Sequence, residues 1–204
     1  MAIVNGYCSL AELKTYTGIS GSGQDDNLEN AIEGASREID RICGRIFYQT
    51  SSENRYYTPD NVLSVQVDDI STTSGLVVKI DSNDDGTHDT TLTIDTDFYL
   101  TPVNTTNTQI QYQPYTGINI LDTRSSERFD TTIVKQLKVT AAFGFSSPPD
   151  AIKQATLIQW LRLFKRKDTP FTVYGSEQTG TVELFQKFDP DAMKMIKGYI
   201  KKTL

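Results

Sequence analysis

The densest group of potential ligand atoms in the 204-residue chain is an acidic loop at residues 81–89, DSNDDGTHD. It places oxygen-bearing side chains at positions 1, 3, 5 and 9 and glycine at position 6, as in the first part of a calcium loop. Position 12, which should be a bidentate glutamate, is Leu92, and the flanking residues predict strands, not helices. An acidic hairpin turn held by its own side chains is the favoured interpretation. A calcium site is the alternative, with the ligands Asp81, Asn83, Asp85 and Asp89.

The residue combinations that common enzymes require are missing. His88 is the only histidine, so neither a histidine-ligated metal set nor a Ser-His-Asp triad can be assembled. No phosphate-binding loop or dinucleotide fingerprint occurs. Cys8 and Cys43 lack CxxC spacing, and we predict two free thiols that pack as small apolar side chains. The sequence therefore predicts a protein that is not an enzyme and carries no cofactor.

Charge is distributed unevenly along the chain. Twenty basic and 26 acidic side chains give a formal charge of −6, which argues against a protein whose main task is to grip nucleic acid phosphates. Residues 56–150 hold five basic and thirteen acidic side chains, whereas residues 151–204 hold ten and five. An acidic partner is therefore expected at the C-terminal third. No signal peptide or apolar run of membrane-spanning length is evident, which predicts synthesis in a cytoplasm.

Helical patterns occupy both ends of the chain. Ser9 and Glu12 have the spacing of a capping box, which predicts a helix start. A second helix has an apolar stripe with spacings of four and three residues, formed by Leu28, Ile32, Ala35, Ile39 and Ile42. A third, at residues 151–164, is apolar over most of its circumference, which predicts burial on two sides. Asp189 and Pro190 predict the start of a last helix.

The middle of the chain has the composition of β structure. Residues 56–150 include seventeen threonines and several stretches in which apolar and polar residues alternate, separated by turn signals. Short strands at this spacing favour an antiparallel sandwich or small barrel. The predicted fold class is therefore α+β: a small bundle of about four helices, from residues 1–55 and 148–204, with a large inserted antiparallel β domain at residues 56–147.

Seven segments spread over the whole chain form a recognisable set: YCSLAELK at 7–14, IDRICGRIF at 39–47, DSNDDG at 81–86, DFYLTP at 97–102, PDAI at 149–152, RLFKRKDTPF at 162–171 and FDPD at 188–191. With them the sequence resembles the head-to-tail connector, or adaptor, proteins of long-tailed bacteriophages. These motifs are structural, not catalytic.

The resemblance implies a structural virion protein at the head–tail interface, or neck. It implies a homo-oligomeric ring, typically of twelve copies, beneath the portal protein. Such a ring extends the viral DNA channel, through which DNA passes without specific binding, and offers a platform for the stopper or another tail-side neck protein. No membrane is involved, and synthesis takes place in the bacterial host cytoplasm.

Two groups of residues are the expected contacts under this interpretation. Subunit packing in the ring is assigned to Ile158, Trp160, Leu161 and Phe164. Partner binding is assigned to Phe171, Tyr174, Lys197, Tyr199 and Ile200. Two alternatives from other classes remain: a calcium-dependent binding module that uses the loop from Asp81 to Asp89, and a small hydrolase, for which the chain offers no nucleophile–base pair.

Overall fold

The computed structural model describes residues 3–105, 113–166, 173–174, 182–183 and 188–201. The chain divides into two compact units, a helical unit of residues Met1–Arg45 and Pro148–Leu204 and a β unit of residues Ile46–Ser147. The helical unit resumes at Pro148. The expected first boundary, at 55/56, falls later than the observed one, because residues 46–55 belong to the β unit.

The described residues of the helical unit form four helices, as predicted: α1 (Leu10–Thr17), α2 (Asp25–Cys43), α3 (Asp150–Arg166) and α4 (Pro190–Ile196), the last continued by one 3-10 turn, Lys197–Tyr199. The predicted capping box is present, since the Ser9 side chain accepts from the Glu12 N–H and the Glu12 carboxylate accepts from the Ser9 N–H. Asp189 caps α4 by accepting from two backbone N–H groups. No helix among the described residues is long and apolar enough to cross a bilayer.

The core of the helical unit lies where α1, α2 and α3 meet. The α2 stripe is buried there apart from its last member, Ile42, which is half-buried. Its partners come from the other two helices and the segment before α1. The cluster consists of Cys8, Leu13, Leu28, Ile32, Ala35, Leu157 and Trp160.

Seven strands occur in the part of the β unit that the structure describes, 46–105 and 113–147: β1 (Glu53–Tyr57), β2 (Ser64–Ile70), β3 (Val77–Ile80), β4 (Thr90–Leu92), β5 (Phe98–Thr101), β6 (Tyr115–Ile120) and β7 (Leu137–Ala141). They build two antiparallel sheets with the strand orders β1-β7-β3-β4 and β2-β6-β5. Alternate residues of both sheets meet in one buried core. The α+β class and the antiparallel β domain are thus confirmed.

The outer face of the four-stranded sheet carries two lysines directly opposite each other. Lys138 on β7 is paired with Lys79 on β3 and with Tyr56 on β1. Neither lysine forms an ion pair with any residue that the structure describes. Like charges at directly opposed positions destabilise a sheet, so this pair opposes folding of the β unit.

Replacing Lys138→Thr is expected to stabilise the β unit by about 0.2–1 kcal/mol, because it removes the repulsion and places a β-branched residue in the strand. Urea unfolding at low ionic strength measures the gain. Salt screens exposed charges, so the gain should shrink when the titration is repeated in about 1 M sodium chloride. An unchanged midpoint at low salt would show that the two ammonium groups do not repel each other appreciably.

Candidate subunit and partner interfaces

Trp160 is a core residue of the helical unit. Its side chain is fully buried, its indole N–H donates to the Leu28 carbonyl at 3.3 Å, and its ring stacks on Phe164 with centroids 4.8 Å apart. A side chain without exposed surface has nothing to offer a neighbouring subunit. The expectation that Trp160 packs between subunits is therefore corrected: the residue holds α3 against α2 within its own chain.

The other three residues expected at a subunit interface keep part of their surface. Ile158, Leu161 and Phe164 are half-buried. Leu161 and Phe164 pack against the core cluster of their own unit with one side. Most of the helix circumference is apolar because α3 packs against α1, α2 and α4. Leu163 is half-buried as well, so four large apolar residues of α3 keep part of their surface exposed.

The residues expected to bind partners lie at the C-terminal end, and the structure describes only some of them. Lys197 is exposed, Ile200 is 37% exposed and Tyr199 is half-buried. Burial and, to a lesser extent, the nearby Asp150 carboxylate raise the pKa of the Tyr199 hydroxyl. Phe171 lies outside the described residues, and Tyr174 is described only through its backbone, which pairs as Val173–Tyr174 with Val182–Glu183.

A groove between α1 and α3 was not anticipated from the sequence. It has a volume of about 560 Å³, and on the α1 side it is bordered by Tyr16, which is 48% exposed. Burial raises the pKa of the Cys8 thiol at its floor to about 12, which keeps the sulfur protonated and unreactive. The lining residues are Cys8, Ala11, Glu12, Thr15, Tyr16, Asp150, Lys153, Gln154 and Leu157.

The segment before α1 is attached along α2, and this attachment positions the groove. Glu33 accepts from the backbone N–H groups of Val4 and Asn5 at 2.7 and 2.8 Å. One turn further, Ser36 accepts from the Tyr7 N–H at 3.1 Å. Another turn on, the Tyr7 hydroxyl donates to the Asp40 carboxylate. Three consecutive turns of α2 therefore fix residues 4–7, so α1 starts from a defined point.

The acidic loop is a hairpin turn between β3 and β4. One oxygen of the buried Asp81 carboxylate accepts from the N–H groups of Asn83 and Asp85 at 3.2 and 3.4 Å, and the other accepts from Gly86 at 2.8 Å. Asp85 accepts from the Thr87 N–H at 2.7 Å, and this hydrogen bond lowers its pKa. No group of three or more His, Cys, Asp or Glu side chains arranged to hold a metal ion occurs among the described residues.

Asp81→Ala is expected to destabilise the β unit by about 1–3 kcal/mol, because three partly buried hydrogen bonds from backbone N–H groups to a charged acceptor are lost. Thermal unfolding of the wild-type chain and of the Asp81→Ala variant, once in chelator and once in millimolar calcium, measures this loss. If the Asp81 carboxylate only accepts hydrogen bonds from the backbone, the difference in stability between the wild-type chain and the variant is the same in both buffers. A wild-type chain that gains stability in calcium while the variant does not would instead support the calcium-binding alternative.

His88 serves the same hairpin. Its Nε2 lies 2.9 Å from the Lys135 carbonyl, to which it donates, and its ring contacts Tyr56 with centroids 5.4 Å apart. The imidazole thus ties the hairpin to the segment before β7. These contacts account for the only histidine of the chain as a structural residue.

The comparisons with known proteins identify a shared fold. No protein-family model and no curated protein matches the sequence. A chain in the neck of a native gene transfer agent particle, computed with C12 symmetry, matches with a TM-score of 0.54 and 10% identity, over 100% of this chain and 94% of that one. A chain in the neck of the empty particle, computed with C6 symmetry, matches with a TM-score of 0.53 at the same identity and coverage. The resemblance to neck proteins is thus confirmed at the level of the fold.

Proposed function

We propose that this chain is a structural protein of the neck of a phage-like particle, without catalytic activity. The observation that carries the proposal is the fold shared over the whole chain with a chain from the neck of gene transfer agent particles. The seven connector-like segments support it independently, because they come from the sequence alone. In the particle, the chain forms a homo-oligomeric ring of about twelve copies, the number suggested by the C12 symmetry of the similar neck.

The ring lies beneath the portal protein, extends the DNA channel and carries the stopper or another tail-side neck protein. Subunits pack through the partly exposed apolar surface of α3, to which Ile158, Leu161 and Phe164 contribute. Phe171, Tyr174, Lys197, Tyr199 and Ile200 contact partners. The net charge of −6 supports a channel through which DNA slides, because such a wall should repel phosphate instead of holding it. The protein is made in the host cytoplasm and ends in the virion.

Native mass measurement and negative-stain imaging test this proposal, with the purified chain alone and mixed with portal rings from the same particle. We expect closed rings of one defined copy number, either alone or on the portal. A chain that stays monomeric over the accessible concentration range and also ignores portal rings would refute the proposed function.

A further inference from the structure

The groove between α1 and α3 is apolar at its centre and slightly acidic at its borders. Ala11 and Leu157 contribute apolar surface to it, and the half-exposed Tyr16 ring stands at its edge. Glu12, Asp150 and Lys153 are its charged residues, which gives a net charge of −1. Exposed apolar surface in a concave site is unfavourable unless something covers it. A convex, apolar and basic surface would complement it.

The helical unit has one such surface at α4. Met195 and Ile200 are 40% and 37% exposed, which makes them the large exposed apolar residues of the described C-terminal segment, 188–201. Lys194 and Lys197 are exposed next to them. Between Pro190 and Lys201 the chain holds three lysines and one acidic residue, Asp191. We call the exposed end of this segment, which carries Lys194, Met195, Lys197 and Ile200, the α4 knob; Lys194 also pairs with Asp191 of its own helix at 3.2 Å.

The groove and α4 lie on different sides of α3. Successive helix residues are about 100° apart, so the α3 residues that line the groove, Asp150, Lys153, Gln154 and Leu157, fall within one sector of about 100°. Gln159 and Arg162 contact Asp189, the cap of α4, at 3.1 and 3.7 Å. By the same count Gln159 lies about 170° and Arg162 about 130° from the centre of the groove sector. The start of α4 therefore packs on a side of α3 that faces away from the groove, whereas Tyr199, further along the same segment, lies near the groove residue Asp150. Leu161 extends the groove side by one turn.

Two different, complementary surfaces of one subunit generate a ring when the rotation between copies closes. We propose that the α1–α3 groove of one copy receives the α4 knob of the next copy. This inference rests on the proposed ring, and it names a second copy as the partner of Ile200 and Lys197. Met195 and Ile200 cover the apolar floor, while Lys194 and Lys197 face the carboxylates of Glu12 and Asp150.

Charge exchange across this contact tests the inference, because all four positions to be changed are exposed. The groove variant is Thr15→Lys with Gln154→Lys, the knob variant is Lys194→Glu with Lys197→Glu, and a third chain combines both pairs. We expect each pair alone to raise the concentration for half-assembly by about tenfold or more, and the combined chain to return toward wild type. Ser51→Lys with Ser52→Lys adds the same charge on the β unit and should assemble like wild type.

Native mass measurement over a concentration series, with and without portal rings, reads out assembly, and circular dichroism verifies folding. If the single pairs assemble like wild type, or if the combined chain recovers nothing, this inference is wrong while the proposed ring stands. If the wild-type chain itself does not assemble in either setting, the proposed function fails and the inference with it.

A second measurement does not depend on charge. A chain with Thr15→Cys and Met195→Cys, treated with a short bismaleimide, should yield a covalent ladder of oligomers, whereas either single change should yield no ladder. The buried native thiols Cys8 and Cys43 provide the background control in the wild-type chain. A double variant that assembles but gives no ladder contradicts the proposed contact.

Discussion

Trp160→Ala is expected to destabilise the helical unit by about 3–5 kcal/mol, the largest loss that we expect from truncating a single side chain of this unit. Three terms add: the apolar area of a fully buried indole, the cavity left among α1, α2 and α3, and the Leu28 carbonyl that loses its donor. Phe164 also loses the ring on which it stacks. The expected loss is a large fraction of the free energy of unfolding of a typical domain.

Far-UV circular dichroism at 222 nm follows this loss, because all four described helices belong to the helical unit. Trp160→Phe keeps most of the apolar volume and removes the indole donor, so it should cost clearly less than alanine. Gln154→Ala, at an exposed position of the same helix, serves as the matched control and should be nearly neutral. If the Trp160→Ala chain unfolds at the same temperature as the wild-type chain, Trp160 does not stabilise the core of the helical unit. Its assignment to a subunit interface would then be open again.

The sequence alone predicts a structural feature correctly where residues close together in the chain determine its geometry. The spacing of Ser9 and Glu12 predicts a capping box, and both hydrogen bonds are present. The four-and-three spacing from Leu28 to Ile39 predicts one buried face of α2, and those residues are buried. In both cases the partners lie within the same helix or on one face of it, so the pattern alone contains the answer.

Packing partners far apart in the chain could not be inferred in the same way. The apolar residues around the circumference of α3 predict how much of the helix is buried, but not which elements bury it. In the structure, α1, α2 and α4 of the same chain cover most of its surface. The apolar pattern therefore does not reveal that Trp160 packs against α2 of its own chain. The groove was missed for the same reason, since it exists only because α1 lies beside the first turns of α3.

Strand β1 begins in a stretch that the sequence pattern assigns to the helical part of the chain. Its sequence, ENRYY, shows no alternation of apolar and polar residues, because the position paired with the buried Val139 is occupied by Arg55. That guanidinium lies over the Phe143 ring at 4.1 Å and pairs with Glu53 and Asp68 at 2.7 and 3.0 Å. An arginine can cover an aromatic ring as an apolar residue would, but hydrophobic periodicity does not register it.

Gly144→Ala is expected to destabilise the β unit by about 4 kcal/mol or more, which places it among the exceptional single substitutions. Gly144 has a φ of +94°, and a Cβ there would lie 2.0 Å from the Tyr48 carbonyl oxygen and 3.0 Å from Ile46 Cγ1. The Gly144 N–H also donates to the Asp69 carbonyl at 2.7 Å, so the backbone cannot move away without breaking that bond. The residue thus joins the segment before β1 to the end of β7.

Gly75→Ala separates the two causes of this loss, because Gly75 has a similar φ of +74° but no atom within 4 Å of an added Cβ. It should cost only the conformational penalty of a side chain in left-handed backbone, about 1–2 kcal/mol. Hydrogen exchange of the amides in β1, β3 and β7 measures both variants within the β unit. The amount by which Gly144→Ala destabilises the β unit more than Gly75→Ala is the steric cost of the close approach to Tyr48. Equal losses in the two variants would show that the Tyr48 carbonyl yields freely and that Gly144 is needed only for its backbone conformation.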